Sequence, residues 1–182
     1  MGERVNEMLL NALEAICGAL NAHMQHLNAG DVVLTSLTDS DGAPNPDARD
    51  KIVLCLGNLF PEATVNSPRA VPGDATAIPT LHVSADILVM SNFVGSRYCE
   101  GLDALSQVIR FFHQSPVFSR SSTPKLDPPI EKLTVELLSL NASEIKDVIA
   151  MHGGRYLPAL VFRIRSLPFA PDLPAKPIFA AG

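Results

Sequence analysis

From Val5 to Leu27 the chain carries one apolar stripe. Val5, Met8, Leu9, Ala12, Leu13, Ile16, Ala19, Leu20, His23 and Leu27 recur at steps of three and four, with Asn6, Glu7, Glu14 and Asn21 off the stripe. That period predicts an amphipathic helix from about Glu3 to Leu27. At about seven turns, such a helix must lie across a broad sheet or a partner surface. The rest of the chain therefore has to supply that surface.

The strand signals follow. "DVVLTSLTD" (Asp31–Asp39) reads as a short strand, and "SDGAPNPDARD" after it is turn chemistry. "KIVLCLGNLF" (Lys51–Phe60) is an unbroken apolar run, which predicts a strand covered on both faces. "TLHVSADILVMSNF" (Thr80–Phe93) alternates Leu81, Val83, Ala85, Ile87 and Val89 on one face of a long strand. "IEKLTVELLSL" and "YLPALVFRIRSL" give two more, with Leu133, Val135 and Leu137 on one face of the first and Leu160, Phe162 and Ile164 on one face of the second.

Two further helices separate these strands. One spans about Arg97 to Gln114, with Ser96 as N-cap and Tyr98, Leu102, Leu105, Ile109 and Phe112 as its apolar face. The other starts at Asn141, where Glu144 completes a capping box, Leu140 can staple to Ile145, and Gly153 is placed to end the helix. The order is helix, three strands, helix, strand, helix, strand. It predicts an α/β (α+β) domain: a single mixed β-sheet of about five strands covered by about three helices.

Two segments escape this pattern. Pro61–Pro79 holds four prolines and no clear period. A connection of that length in a compact domain is a binding loop or disorder. After residue 167, Pro168, Pro171, Pro174 and Pro177 fall every third residue, the repeat of polyproline II. Fifteen such residues would reach about 45 Å at ~3.1 Å each. The division expected is a domain over 1–167 and an extended proline-rich arm over 168–182. The arm either docks on another subunit or frays.

Composition narrows the function. The net charge is −5, with no basic cluster of the kind nucleic acid demands. Residues 1–91 carry four basic and eleven acidic residues, net −7, and the remainder is net +2. Opposed halves suit head-to-tail subunit contacts. The three cysteines are scattered, as for reduced thiols in a cytosolic protein. Glu3 and Glu7 interrupt any leader pattern, so no signal peptide is expected, and no apolar run approaches a membrane span.

Candidate chemistry is thin. Cys99 and His113 are fourteen residues apart on one expected helix, about 21 Å, and cannot form a dyad. His23 and His26 have helical spacing for a shared metal but no further ligand pattern. "DSDG" starts like a calcium loop without its later ligands. The phosphate-binding, dinucleotide and nucleophile-elbow glycine motifs do not occur. No catalytic residue, metal or cofactor is expected.

Taken in order, "VNEMLLNALEAICGALNAH", "DKIVLCLGNL", "LHVSADILVMSNFVGSRYCEGLDALSQVIRFFHQSPVF" and "DPPIEKLTVELLSLNASEIKDVIAMHGGRYLPALVFRIRSL" resemble the cap, or tail-terminator, family of contractile injection systems. This is the family of the Photorhabdus virulence cassettes and the antifeeding prophage. The resemblance implies a structural protein, not an enzyme. It implies a homo-oligomeric ring, usually a hexamer, at the end of the particle away from the baseplate, where inner tube and sheath stop growing. It further implies assembly in the bacterial cytoplasm and a phage tail-like particle that can be released. The alternatives are another tail-completion or connector protein, or a small hydrolase.

Ring subunits need two different patches and extensions toward the layer below. The candidate contacts are Val65, Val71 and Ile78 in the loop, and Pro171, Leu173, Pro174, Pro177, Ile178 and Phe179 in the arm. On the second helix the candidates are Asp103, Gln107 and Arg110 of the polar face.

Overall fold

The computed structural model describes residues 8–62, 80–151 and 156–170. The elements are α1 (Met8–His26), β1 (Val32–Leu34), β2 (Ile52–Pro61), β3 (Leu81–Ser91), α2 (Tyr98–Gln114), β4 (Val117–Ser119), β5 (Lys132–Leu137), α3 (Ala142–Met151) and β6 (Ala159–Phe169). The strands form one mixed sheet in the order β1-β2-β3-β6-β5-β4. Only β1 and β2 run parallel; the other neighbours are antiparallel. The sheet therefore has six strands, not five. The sixth, β4, is three residues long and follows Pro116, too short to leave a period in the sequence.

The alternation in β3 sets the two faces. Val83, Ala85, Ile87 and Val89 join the main core with Met8, Ala12, Leu13, Ile16 and Leu20 of α1 and Leu105, Val108, Phe111 and Phe112 of α2. Leu88 and Met90 point the other way, into a smaller cluster with Ala48, Val53 and Val161, against which Val148 of α3 packs. Two helices thus cover one face and α3 the other. Four phenylalanines fasten the main core: Phe112 meets Phe162 at 4.5 Å and Phe111 edge-on at 5.1 Å, and both lie near Phe118.

β2 is covered on both faces only over Ile52–Leu54; beyond these, Leu56 and Leu59 are exposed. The run of apolar residues overstated its burial. A bulge at Gly57 explains part of this, because the pairing steps from Leu56 opposite Ile87 to Asn58 opposite Asp86. β6 continues through Pro168 and Phe169, which stand opposite His82 and Leu81.

The start of α2 also differs from expectation. A 3-10 turn, Gly95–Arg97, leads into the helix, and Ser96 does not cap it; Arg97 takes the cap position but its side chain makes no capping hydrogen bond to the helix backbone. The buried face of α2 is rotated. Gly101, Ala104, Leu105, Val108, Phe111 and Phe112 are buried, while Tyr98, Leu102 and Ile109 are exposed. A Cβ at Gly101 would collide with Ser91 Oγ and press on Phe93, so the glycine lets this turn sit directly on the end of β3.

The capping box of α3 is present as the sequence indicates. Asn141 Oδ1 accepts from the N–H groups of Ser143 (2.9 Å) and Glu144 (3.1 Å), and Glu144 Oε2 accepts from the N–H of Asn141 (2.7 Å). The expected start of the first helix, the side chain of Ile145 and the glycine at 153 lie outside the described residues.

Candidate assembly surfaces

Because α2 buries its small residues, its large ones remain outside. Tyr98, Leu102 and Ile109 form an exposed apolar row along the helix. Ile109 continues into a groove of about 280 Å³ lined by Phe112, His113, Pro116, Val135 and Leu137. The groove exists because β4 covers only Lys132–Thr134 of β5, leaving the far end of β5 open beyond Pro116.

The polar row of α2 runs alongside. Asp103 is exposed and Gln107 half-buried, and both line a cleft of about 390 Å³ between the end of α1 and the start of α2. Leu27, Asn28 and Gly30 form its other wall. Arg97 is held at its edge by Glu100 (2.9 Å), Asp50 (3.5 Å) and the ring of Phe93 (5.0 Å). The Glu100 hydrogen bond is the main reason the Arg97 pKa is raised. Arg110 is exposed on α2 but does not line this cleft.

A third surface is a corner of the sheet. Past Leu54, β2 has no strand beside its outer edge among the described residues. Leu56 and Leu59 stand opposite Ile87 and Ala85, so they share the face of the main core, yet both are exposed, as is Leu81. The chain leaves β6 at this same corner, since Phe169 is paired with Leu81. The remaining candidates, Val65, Val71, Ile78, Pro171, Leu173, Pro174, Pro177, Ile178 and Phe179, lie outside the described residues.

The opposite face has a cleft of about 370 Å³ between α3 and the sheet, lined by Gly57, Leu88, Leu140, Val148, Val161 and the Asp86–Arg163 pair. None of these three concavities combines a serine or cysteine with a histidine. Cys99 and His113 both lie on α2, about 21 Å apart along its axis. Burial pushes the thiols of Cys17 and Cys55 up to about 11, far from a reactive thiolate. His23 packs against Phe111 with the ring centres 5.1 Å apart and the planes tilted by 42°, a packing role. Among the described residues no group of three or more His, Cys, Asp or Glu could hold a metal, and no helix is long and apolar enough to cross a membrane.

What the geometry offers is contact surface. The family model described as the Pvc16 N-terminal domain matches residues 11–178. This chain belongs to that family. Its Pvc16-type fold is also similar to two solved structures. The PVC sheath/tube terminator of an extracellular contractile injection system, in its extended state, superimposes with a TM-score of 0.58 at 13% identity, covering 96% of this chain and 61% of that one. The tube-terminating cap of the anti-feeding prophage gives 0.51 at 12% identity, covering 98% and 59%. The chain thus spans about three-fifths of each, and at such identity the likeness is one of fold. No curated protein matches this Pvc16-type domain.

Proposed function

We propose that this chain is a structural terminator of a contractile injection system, ending the inner tube, the sheath or both at the end away from the baseplate. Membership of the Pvc16 N-terminal domain family over residues 11–178 carries this reading. The fold shared with a sheath/tube terminator and a cap supports it. The subunits form a ring of six, assembled in the bacterial cytoplasm on a particle that can be released. The chain acts without a cofactor and catalyses nothing; its clefts supply walls and charged rows for neighbours.

Within that role, the arm over 168–182, of which Pro168 and Phe169 complete β6, and the loop over 61–79 are the extensions that grip the layer below. Asp103, Gln107 and Arg110 face a neighbouring subunit. Exposed Leu81 stands opposite Phe169 at the exit of the arm, and with exposed Leu59 and Leu56 farther along the open edge of β2 it offers an apolar seat for an adjoining component.

The test is to express the particle genes with and without this chain and examine particles by electron microscopy. Loss of the chain should give particles without a terminal ring and with uncontrolled length. Unchanged length and tips without it would sink the proposal. Removing residues 171–182 should leave a folded domain that is poorly retained on particles; normal retention would refute the role of the arm alone.

A further inference from the structure

We infer that the two outer rims of the sheet are complementary contact surfaces that join one copy of this chain head to tail to the next. The inference rests on the ring proposed above and names the surfaces that close it.

The rims differ in charge. β1 with the connection that follows it, residues 31–51, carries five acidic and two basic residues, net −3. Asp31, Asp39, Asp41 and Asp47 are all exposed there. At the other rim, residues 115–132 carry three basic and two acidic residues, net +1. Arg120, Lys125 and Lys132 are all exposed. The strand order places these rims at opposite sides of the sheet, separated by five inter-strand spacings, about 24 Å. The subunit is therefore polar across its strands.

β1 and β4 are the two edge strands, each three residues long, and neither has a strand on its outer side among the described residues. Part of their outward backbone is satisfied within the chain: the Val32 N–H donates to Asn21 Oδ1 at 2.8 Å and the Ser119 N–H donates to Ser122 Oγ at 3.0 Å. The rims therefore meet through side chains, and bringing the β4 rim of one copy against the β1 rim of the next sets acidic rim against basic rim. Such a heterologous contact uses two different patches, as the proposed ring requires and a two-fold dimer does not. Opposed rim charges also reject the wrong pairings, β1 to β1 and β4 to β4, by like-charge repulsion.

Charge reversal tests this directly. D39K/D47K takes the acidic rim from net −3 to net +1, and R120E/K125E takes the basic rim from net +1 to net −3. Asp41 is left in place because its Oδ1 accepts from the N–H of Ala43 at 3.1 Å. Each variant alone then has two rims of like sign, while a mixture in alternation opposes the charges at every contact, half of them with the wild-type signs and half with the signs exchanged. Each variant is expressed with the particle genes in place of the wild-type chain, then the two together. Each alone should lower the capped fraction about tenfold, and co-expression should restore it.

Normal capping by either variant alone overturns the inference. So does a mixture that fails to restore capping although each variant melts like the wild type. Should reversal unfold the chain, the milder D39N/D47N and R120Q/K125Q must each flatten the salt dependence of ring association; an unchanged dependence overturns the inference. If wild-type particles carry no ring of this chain, the capping role itself falls. If the ring is present and indifferent to both reversals, only the rim pairing falls.

Discussion

Arg163 on β6 and Asp86 on β3 stand directly opposite each other and share two parallel hydrogen bonds, Nε to Oδ1 at 2.8 Å and Nη2 to Oδ2 at 3.0 Å. The guanidinium also lies 4.4 Å from the centre of the Phe60 ring on β2. One side chain thus ties three neighbouring strands. The Asp86 hydrogen bond leads the causes that raise the Arg163 pKa, so the cation persists at any ordinary pH. Both groups are largely shielded, at 26% and 16% exposed, which makes this pair stronger than a surface ion pair. Arg163→Ala should lower unfolding free energy by about 2 kcal/mol, mostly by leaving the Asp86 carboxylate without its partner. The D86A/R163A double variant should lose less than the sum of the two single losses. Urea unfolding of the three variants measures it, and full additivity would show the pair to be independent.

The rotated face of α2 gives a second prediction. Leu105 is buried and Leu102 exposed, although the helical spacing put them on one stripe. Leu105→Ala should cost about 3 kcal/mol. Leu102→Ala should stay within about 0.5 kcal/mol. Thermal unfolding separates them, and equal losses would restore the stripe that spacing alone suggests. In particles, Leu102→Glu should weaken attachment without altering the melting temperature, since the row it belongs to faces outward.

That helix also shows what a sequence can and cannot disclose. Spacing finds the large apolar residues of α2, but burial was decided by Gly101 and Ala104, which carry no apolar signal. Gly101 is inside because its turn of the helix approaches Ser91 and Phe93 closely. The long strand β3 was legible because its alternation matches its burial: Val83, Ala85, Ile87 and Val89 all enter the main core. β4 was not, because its place is fixed by pairing with β5 and by Phe118 reaching the phenylalanine cluster, both non-local. Likewise the exposed leucines of β2 look like core in the sequence; only the end of β1 at Leu34 reveals their open edge. Of the contact residues chosen by pattern, Asp103 and Gln107 share a cleft with Arg97, a partner that spacing on the helix did not nominate.

The capping box of α3 was legible for the opposite reason: it is wholly local. Asn141 and Glu144 satisfy three N–H groups between them. Asn141→Ala should destabilise the helix by about 1 kcal/mol. Hydrogen exchange should show faster exchange at the first-turn amides of α3 with no change in β3, because the lost bonds are confined to the helix end. Equal acceleration in both would mean that α3 opens only with the whole domain.

The thiols provide a prediction with a pH window. Cys17 and Cys55 are pushed up to about 11, from an ordinary value of 9.0, chiefly by burial. For Cys17 the nearby Glu14 carboxylate adds to the effect. A raised thiol pKa means that the folded state keeps its proton where the unfolded chain has lost it. The stabilising contribution is complete below about pH 9 and disappears as pH rises toward about 11. Unfolding midpoints in urea should therefore fall across that window, and the C17A/C55A variant should fall less steeply. The same burial governs reactivity, since only thiolate is alkylated efficiently. At pH 8 both folded-state thiols therefore stay almost wholly protonated, while Cys99 is exposed on α2. Iodoacetamide should label Cys99 first, with Cys17 and Cys55 reacting only after denaturant is added. Mass spectrometry after a timed pulse reads this out, and early labelling of Cys17 would show that α1 leaves the sheet far more often than its packing implies.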